Sequence, residues 1–589
     1  MTQVGPRQWW PHLLIVVALA GVYVNSLRGP LIFDDRATII DNATIEHLNS
    51  GRVLQPPRET SVAGRPVANL SFAINYAIGG REVGGYHAVN VAIHVLCTLL
   101  ILAIFRGVTS LETALAVALL WGVHPLNSEA VDYLTERTES LMALFYLTTI
   151  YCAARAARRN ANVAWWTVAA IVACGLGMAT KESMVTAPLV VVAYDRVFLF
   201  PSFREALRRR VWLYAGLALT WLLLAALLWQ APRGLSAGFS APDGDAWTYL
   251  LNEAVMIVRY LRLAVWPSSL VLYYGWPRPL SVADVLPQLI AIAIMMAGAA
   301  WAWRRWPRAG FLGVVFFLTL APTSSIVPIA TEVGAERRMY LPLIAVVTLM
   351  VMAFRRLVPS PRWRVTALVA AATLLAAATI SRNAEYRSSL RLAETAAQRW
   401  PSPAADSMLG VELAAAGRLT EAEARLRAAA SAYPPARYYL GTVLVAQNRP
   451  AEAVEPLRAY IASQPPQLDQ VRLARRQLAA ALVKAGREED AALAYRAALA
   501  ADPGDAEAMV QLAQILLRQG RFVEAVPLLR DLTVRRPEDA WVFGGLGIAL
   551  ASTGRIDEAI DAFRRQLDLD PSNGHAQQNL ARARSMRGR

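Results

Sequence analysis

The sequence predicts an all-α protein in two parts, a polytopic bundle of transmembrane helices followed by a helical-repeat solenoid. Three observations predict it. Of the 589 residues 56% are apolar, more than an ordinary globular core needs, so much of that surface must face lipid. Apolar runs recur from Pro11 to Ile380 at lengths near the roughly 20 residues a bilayer-spanning helix requires, and no such run follows. Beyond Ser381 the pattern changes to a self-similar one with a 34-residue period.

Eleven runs read as spans, at roughly 12–27, 88–105, 111–124, 140–154, 163–179, 184–200, 211–230, 286–303, 310–328, 340–354 and 364–380. Arg7 alone precedes the first run and no small-residue cleavage site precedes Arg28, so a retained span is expected rather than a removed signal peptide. With a cytosolic N-terminus, Arg106, the Arg155/Arg158/Arg159 cluster, Arg204 with Arg208 to Arg210, Arg304/Arg305/Arg308, and Arg355/Arg356 with Arg362/Arg364 all fall inside, as the positive-inside rule requires. The segment 247–283 is interrupted by Glu253, Arg259 and Arg262 and reads as a helix lying on, or re-entering, the outer face.

The formal charge of +15 is therefore a topology signal and not a nucleic-acid footprint. Cys97, Cys152 and Cys174 lie in apolar runs without the spacing of a metal site or redox pair. The chain has no Walker loop, no Rossmann glycine fingerprint and no clustered His/Cys ligands, so no cofactor and no resident metal are expected, although a carboxylate pair leaves a weakly held divalent ion open.

In the C-terminal part Gly486, Gly520 and Gly554 recur every 34 residues, as do Pro503, Pro537 and Pro571. That is the period of tetratricopeptide repeats (TPRs). Small residues (Ala491, Ala525, Ala559) alternate with large ones (Tyr495, Leu529, Phe563) so that paired helices approach closely. Two earlier units, around Gly417 and Asn448, are less regular, and a polar helix from about His575 would cap the stack. The expected domains are 1–384 in the membrane and 385–589 as about five repeats with that cap. Such a solenoid presents a groove suited to an extended peptide, or serves only as a spacer or dimerisation element.

With this topology the unusual polar residues converge on the outer face. The first outer loop carries Asp34 and Asp35, then Arg65, and ends at His87, Asn90 and His94, which share one helix face. The next carries His124, Glu129, Asp132, Glu136, Arg137 and Glu139; the third is only Lys181-Glu182; the last runs from Glu332 through Glu336, Arg337, Arg338 and Tyr340. Charges at a membrane boundary are costly unless paired or used. Mutual pairing, helix capping by Asp34-Asp35 or by Lys181-Glu182, and a hydrogen-bonded core role for His94 are the structural alternatives.

Used together, these groups suit transfer from a lipid-linked phosphosugar. A phosphate at headgroup level needs cationic partners, and Arg337, Arg338 and Lys181 would supply them. An acceptor hydroxyl must lose its proton as it attacks the anomeric carbon, and Asp34 or Asp35 would take it from the opposite side of the sugar, inverting the anomeric centre.

The runs FDDRATIIDNATI, GRPVANLSFAINYAIGG, GYHAVNVAIH, WGVHPLNSEAVDYLTERTESL, MATKES, VRYLRLAVWP and VPIATEVGAERRMYLP, taken in order, resemble the transmembrane and tetratricopeptide repeat-containing proteins of the C-type glycosyltransferase (GT-C) superfamily. The resemblance covers essentially the whole chain. It implies a GT-C-type O-mannosyltransferase bundle, a polyprenyl (dolichyl) phosphate mannose donor and a Ser/Thr hydroxyl of a secreted or membrane protein as acceptor, which the TPR groove would hold; no nucleic-acid partner is expected from the charge pattern. By position Asp34 and Asp35 match the acidic motif of the first outer loop, Arg337 and Arg338 the ERRMYLP segment, and Lys181-Glu182 a paired short turn. The short array and Ala/Arg-rich composition depart from the eukaryotic members and point to a bacterial homologue, in the inner membrane with periplasmic repeats, or in the endoplasmic reticulum membrane with lumenal repeats if eukaryotic. They leave the sugar open. A membrane-anchored TPR scaffold and a lipid-diphosphate oligosaccharyltransferase are the alternative readings.

Overall fold

The computed structural model describes residues 9–58, 60–158, 161–230, 246–324, 332–464 and 469–587; Arg7, Arg159 and the last residues of the run expected at 310–328 lie outside them. Among the described residues every regular element is a helix. The chain separates into two compact units, Met1–Ala405 and Asp406–Arg589.

The first unit contains α1 (Trp10–Tyr23), α2 (Pro66–Gly79), α3 (Val83–Arg106), α4 (Leu111–Gly122), α5 (Ser128–Asp132), α6 (Arg137–Ala156), α7 (Val163–Met178), α8 (Ala187–Phe198), α9 (Phe203–Gln230) and α10 (Ala246–Val265). It continues with α11 (Leu286–Arg305), α12 (Pro307–Leu320), α13 (Pro342–Leu357), α14 (Pro361–Glu385) and α15 (Ser389–Arg399). Local chemistry sets many of the starts. Proline opens α1, α2, α11, α12, α13 and α14, where its missing N–H costs nothing. Ser110, Asn162 and Ser388 accept main-chain N–H bonds at the starts of α4, α7 and α15. Arginines close α3, α6, α8, α11 and α13, where they complement the helix dipole as well as the topology rule.

Among the described residues each of the eleven apolar runs contains a helix. Five, Trp10–Arg28, Val83–Arg106, Phe203–Gln230, Ala283–Arg305 and Pro361–Glu385, are long and apolar enough to cross a membrane. Some of the remaining runs form shorter helices, such as α4, whose 12 residues rise about 18 Å, short of a hydrocarbon core of about 30 Å. The apolar helix α11 buries none of its residues against protein, which only lipid makes tolerable. The protein is thus a multi-pass membrane protein. The segment after 246 begins as the amphipathic α10, which packs on α11 and α13 and buries Tyr249, Glu253 and Tyr260.

The second unit is a run of helix pairs: α16 (Pro403–Ala415) with α17 (Leu419–Ala429), α18 (Pro435–Ala446) with α19 (Pro450–Ser463), α20 (Asp469–Lys484) with α21 (Glu488–Ala501), α22 (Ala506–Arg518) with α23 (Phe522–Arg535), and α24 (Ala540–Ser552) with α25 (Ile556–Leu569). α26 (Gly574–Arg587) follows. Each pair turns through one residue of positive φ, namely Gly417, Asn448, Gly486, Gly520 and Gly554. That left-handed conformation is open to glycine and tolerated by asparagine, which explains why Asn448 stands in the glycine register. Within the pairs, a Cβ added at Gly410, Gly441 or Gly547 would come within 2.6, 2.5 and 2.5 Å of Leu426, Leu457 and Phe563. The second unit is therefore a TPR array by its own geometry.

Candidate active site

The loops at the helix ends opposite the arginine clusters carry the candidate residues, and the structure divides them into three groups.

The first is the acid pair. Phe33 immediately before it has φ of 43°, a conformation costly for a bulky side chain and held by the surrounding loop. The turn sends the two carboxylates in different directions. Asp35 is fully buried: its Oδ2 accepts the main-chain N–H of Ile32 at 3.0 Å and its Oδ1 that of Thr135 at 2.9 Å, tying the first loop to the segment before α6. Its side chain makes no capping bond to the short helix Arg36–Ile40, so the capping alternative is not what holds it. Burial pushes the Asp35 carboxyl up to about 7, with the two main-chain N–H groups pulling the other way. Asp34 is exposed, its Oδ2 accepts a bond from Ser61 Oγ at 2.9 Å, and its main-chain N–H donates to Tyr133 Oη at 3.0 Å.

The second group is an ion-pair network. Arg65 Nη2 pairs with Glu182 at 2.9 Å, and its Nη1 donates to the Ser61 carbonyl, so it shares Ser61 with Asp34. Lys181 Nζ lies 2.9 Å from Glu139 and 3.5 Å from Glu136. Arg337 reaches Glu136 through Nε at 3.1 Å and binds Glu129 and Glu332 through its terminal nitrogens. Burial alone would raise the Glu136 carboxyl, but Arg337, Lys181 and Arg65 together hold it below its ordinary value. Burial raises the Glu129 carboxyl against the pull of Arg337. The sequence names Glu136, Glu139 and Glu332 only as outer-loop charges without a role, and it gives no signal for Ser61.

The third group is built into the fold, each member held by its own buried partners. Arg338, with a side chain 3% exposed, binds Glu253 at 2.8 Å, Tyr249 Oη at 3.1 Å and the carbonyls of Thr323 and Glu332 at 2.9 Å each. It anchors its loop to α10. Glu336 accepts the Val271 N–H at 2.6 Å and Tyr274 Oη at 3.1 Å. Arg137 is fully buried; it donates to Asn90 Oδ1 at 2.6 Å and to the carbonyls of Ser71 and Tyr86, and lies 4.3 Å above the Phe72 ring. Asn90 in turn donates to the Val131 and Leu134 carbonyls. His94 hydrogen-bonds Tyr340 Oη at 2.7 Å and the Gly122 carbonyl at 2.8 Å, His87 the Gly29 carbonyl, and His124 the Ala264 carbonyl while accepting the Leu126 N–H. His87, Asn90, His94, His124, Arg137, Glu336, Arg338 and Tyr340 are thus buried, bonded struts. Among the described residues no group of three or more His, Cys, Asp or Glu is arranged to hold a metal ion.

Comparison with known proteins fits this architecture. Residues 62–229 match the dolichyl-phosphate-mannose-protein mannosyltransferase family, a stretch that holds Arg65, the Glu129–Glu139 segment and Lys181-Glu182 but neither the acid pair nor Arg337. Residues 407–467, 482–544 and 542–573 match tetratricopeptide repeat models. The chain is 27% identical to protein O-mannosyl-transferase Tmtc2 of Drosophila melanogaster over 48% of its own length and 32% of that protein's. It is 27% identical to Tmtc1 of the same fly, over 70% of this chain and 60% of that one, and 22% identical to human TMTC3, over 49% and 31%. It thus spans about a third to three fifths of the length of these curated relatives. The solved structure of YrrB, a TPR protein with an unusual peptide-binding site, is 20% identical, covering 31% of this chain and 95% of that one at a TM-score of 0.29. The chain thus combines a membrane segment similar to the mannosyltransferase family with segments that match tetratricopeptide repeats, and over part of their length it is similar to the TMTC protein O-mannosyl-transferases.

Proposed function

We propose that this protein is an inverting glycosyltransferase of GT-C type that moves a sugar, mannose or a similar hexose, from a polyprenyl-phosphate donor to Ser/Thr hydroxyls of protein acceptors docked in the TPR groove. The observation that carries the reading is the split of the acid pair: a solvent-facing Asp34 held in place by a buried Asp35. Asp34 accepts the acceptor's hydroxyl proton as the new bond from that oxygen to the anomeric carbon forms. The bond from the anomeric carbon to the phosphate oxygen breaks with its electron pair, and the leaving phosphate takes Arg337 and Lys181 as partners, displacing carboxylates that hold them in the resting state. Arg338 keeps its loop in place and makes no phosphate contact. In this reading the acid pair, Arg337 and the repeats share the non-cytosolic compartment, the periplasm of a bacterium or the endoplasmic reticulum lumen of a eukaryote.

The test is transfer from polyprenyl-phosphate mannose to an unstructured Ser/Thr-rich protein by the purified full chain in proteoliposomes. Asp34→Asn is expected to lower it by roughly 10²–10⁴-fold with folding intact. Undiminished transfer by Asp34→Asn would remove the base and with it the mechanism.

A further inference from the structure

Along one flank of the first unit an apolar groove of about 830 Å³ opens between α3, α6, α8, α12 and α13. That volume lies in the range of about 300–1,000 Å³ typical of small-molecule sites. Its walls are apolar and aromatic, with Phe105, Tyr194, Phe311 and Leu349 among the lining side chains. Lining residues run from Leu341, the N-cap of α13, along that helix to Arg356, about 22 Å of helix rise and deeper than one leaflet of a core about 30 Å thick.

The two ends of the groove differ. One, at Thr319 and Leu341, is uncharged; the other carries Arg308, Arg355 and Arg356. Arg355 is paired with Glu112 at 2.8 Å. Arg308 and Arg356 are exposed and make no ion pair among the described residues. Topology alone explains arginines at this side of the membrane. It does not explain why two unpaired ones rim the mouth of an apolar groove of this volume.

We infer that this groove is a binding site for an anionic phospholipid of the arginine-side leaflet, its acyl chains between α12 and α13 and its phosphate against Arg308 and Arg356. Charge complementarity decides the occupant: a polyprenyl tail entering from the opposite face would fill the walls but leave the arginines without a counter-ion, and a zwitterionic headgroup would offset its own phosphate. The inference stands apart from the transfer reaction proposed above, because it uses none of that reaction's residues.

The experiment takes the delipidated full chain in neutral detergent and measures its thermal midpoint, and the lipids it retains by native mass spectrometry, on titration with phosphatidylglycerol, phosphatidylcholine or polyprenyl phosphate. Phosphatidylglycerol is expected to bind and raise the midpoint. The double variant Arg308→Gln/Arg356→Gln should weaken it by on the order of tenfold or more, while Arg304→Gln/Arg305→Gln, arginines outside the groove at the same side, should not. Equal binding of phosphatidylcholine, equal loss in the control variant, or displacement of phosphatidylglycerol by polyprenyl phosphate would each overturn the assignment.

Discussion

Arg337 Nε lies 3.1 Å from Glu136 Oε2, and the same guanidinium also binds Glu129 and Glu332, so one cation is shared among three carboxylates from two loops. A buried charge stripped of its partner is strongly destabilising. Arg337→Gln leaves three acids facing one another and is expected to cost about 3–5 kcal/mol. Arg337→Lys should recover only part of this, because a point charge cannot span three acceptors as a guanidinium fork does. Chemical denaturation in nanodiscs checks the order, and an Arg337→Gln protein as stable as wild type would show that the network holds nothing together.

The two aspartates should separate cleanly in function. Asp34→Asn keeps the shape of an exposed side chain and is expected to lower the transfer rate by roughly 10²–10⁴-fold at unchanged thermal midpoint. Asp35→Asn keeps one acceptor where two are used, so it should loosen the tie between Ile32 and Thr135 and lower the midpoint. If the outcomes are exchanged, the base is Asp35.

Sequence alone made the helical segments and the repeats legible, since apolar length and a fixed period are local signals, and Asn448 in a glycine register was readable for the same reason. It also gathered the charged residues of the site loops. What it left open was which of two adjacent aspartates faces water, and which arginine of the Arg337-Arg338 pair is spent on the fold. Those answers depend on partners far along the chain, the Thr135 N–H for Asp35 and Glu253 of α10 for Arg338, and no spacing rule encodes them. His94, on the same helix face as His87 and Asn90, turned out to be a doubly bonded core residue beside Trp121 and Tyr340.

Asp35 also predicts a pH dependence. Its carboxyl is raised by burial to about 7, so between its unfolded value and about 7 the folded state binds more protons than the unfolded state. The stabilisation from this group is complete below the unfolded pKa and is lost as pH rises through about 7. The midpoint of the wild type should therefore fall between pH 5 and pH 8 more steeply than that of Asp35→Asn. Parallel slopes would mean that Asp35 does not titrate in this window.

Two glycines of the repeat unit test whether its regularity comes from close approach or from turn conformation. A Cβ at Gly441 would sit 2.5 Å from Cγ of Leu457, which is fully buried in α19 and has no room to retreat. Overpacking of this kind costs about 1–3 kcal/mol. At Gly486 nothing lies within 4 Å of the added atom, but φ is +74°, so alanine there costs roughly 1–2 kcal/mol for the backbone alone. The remedies differ accordingly. Gly486→Asn should cost less than Gly486→Ala, since Asn448 already adopts φ of 60° at the equivalent turn, whereas Gly441→Ala should be rescued only by shortening Leu457. Hydrogen exchange on the full chain reads both locally: Gly441→Ala should deprotect α18 and α19, and Gly486→Ala the turn between α20 and α21. A Gly441→Asn protein more stable than Gly441→Ala would show that backbone conformation, and not the Leu457 contact, governs that position.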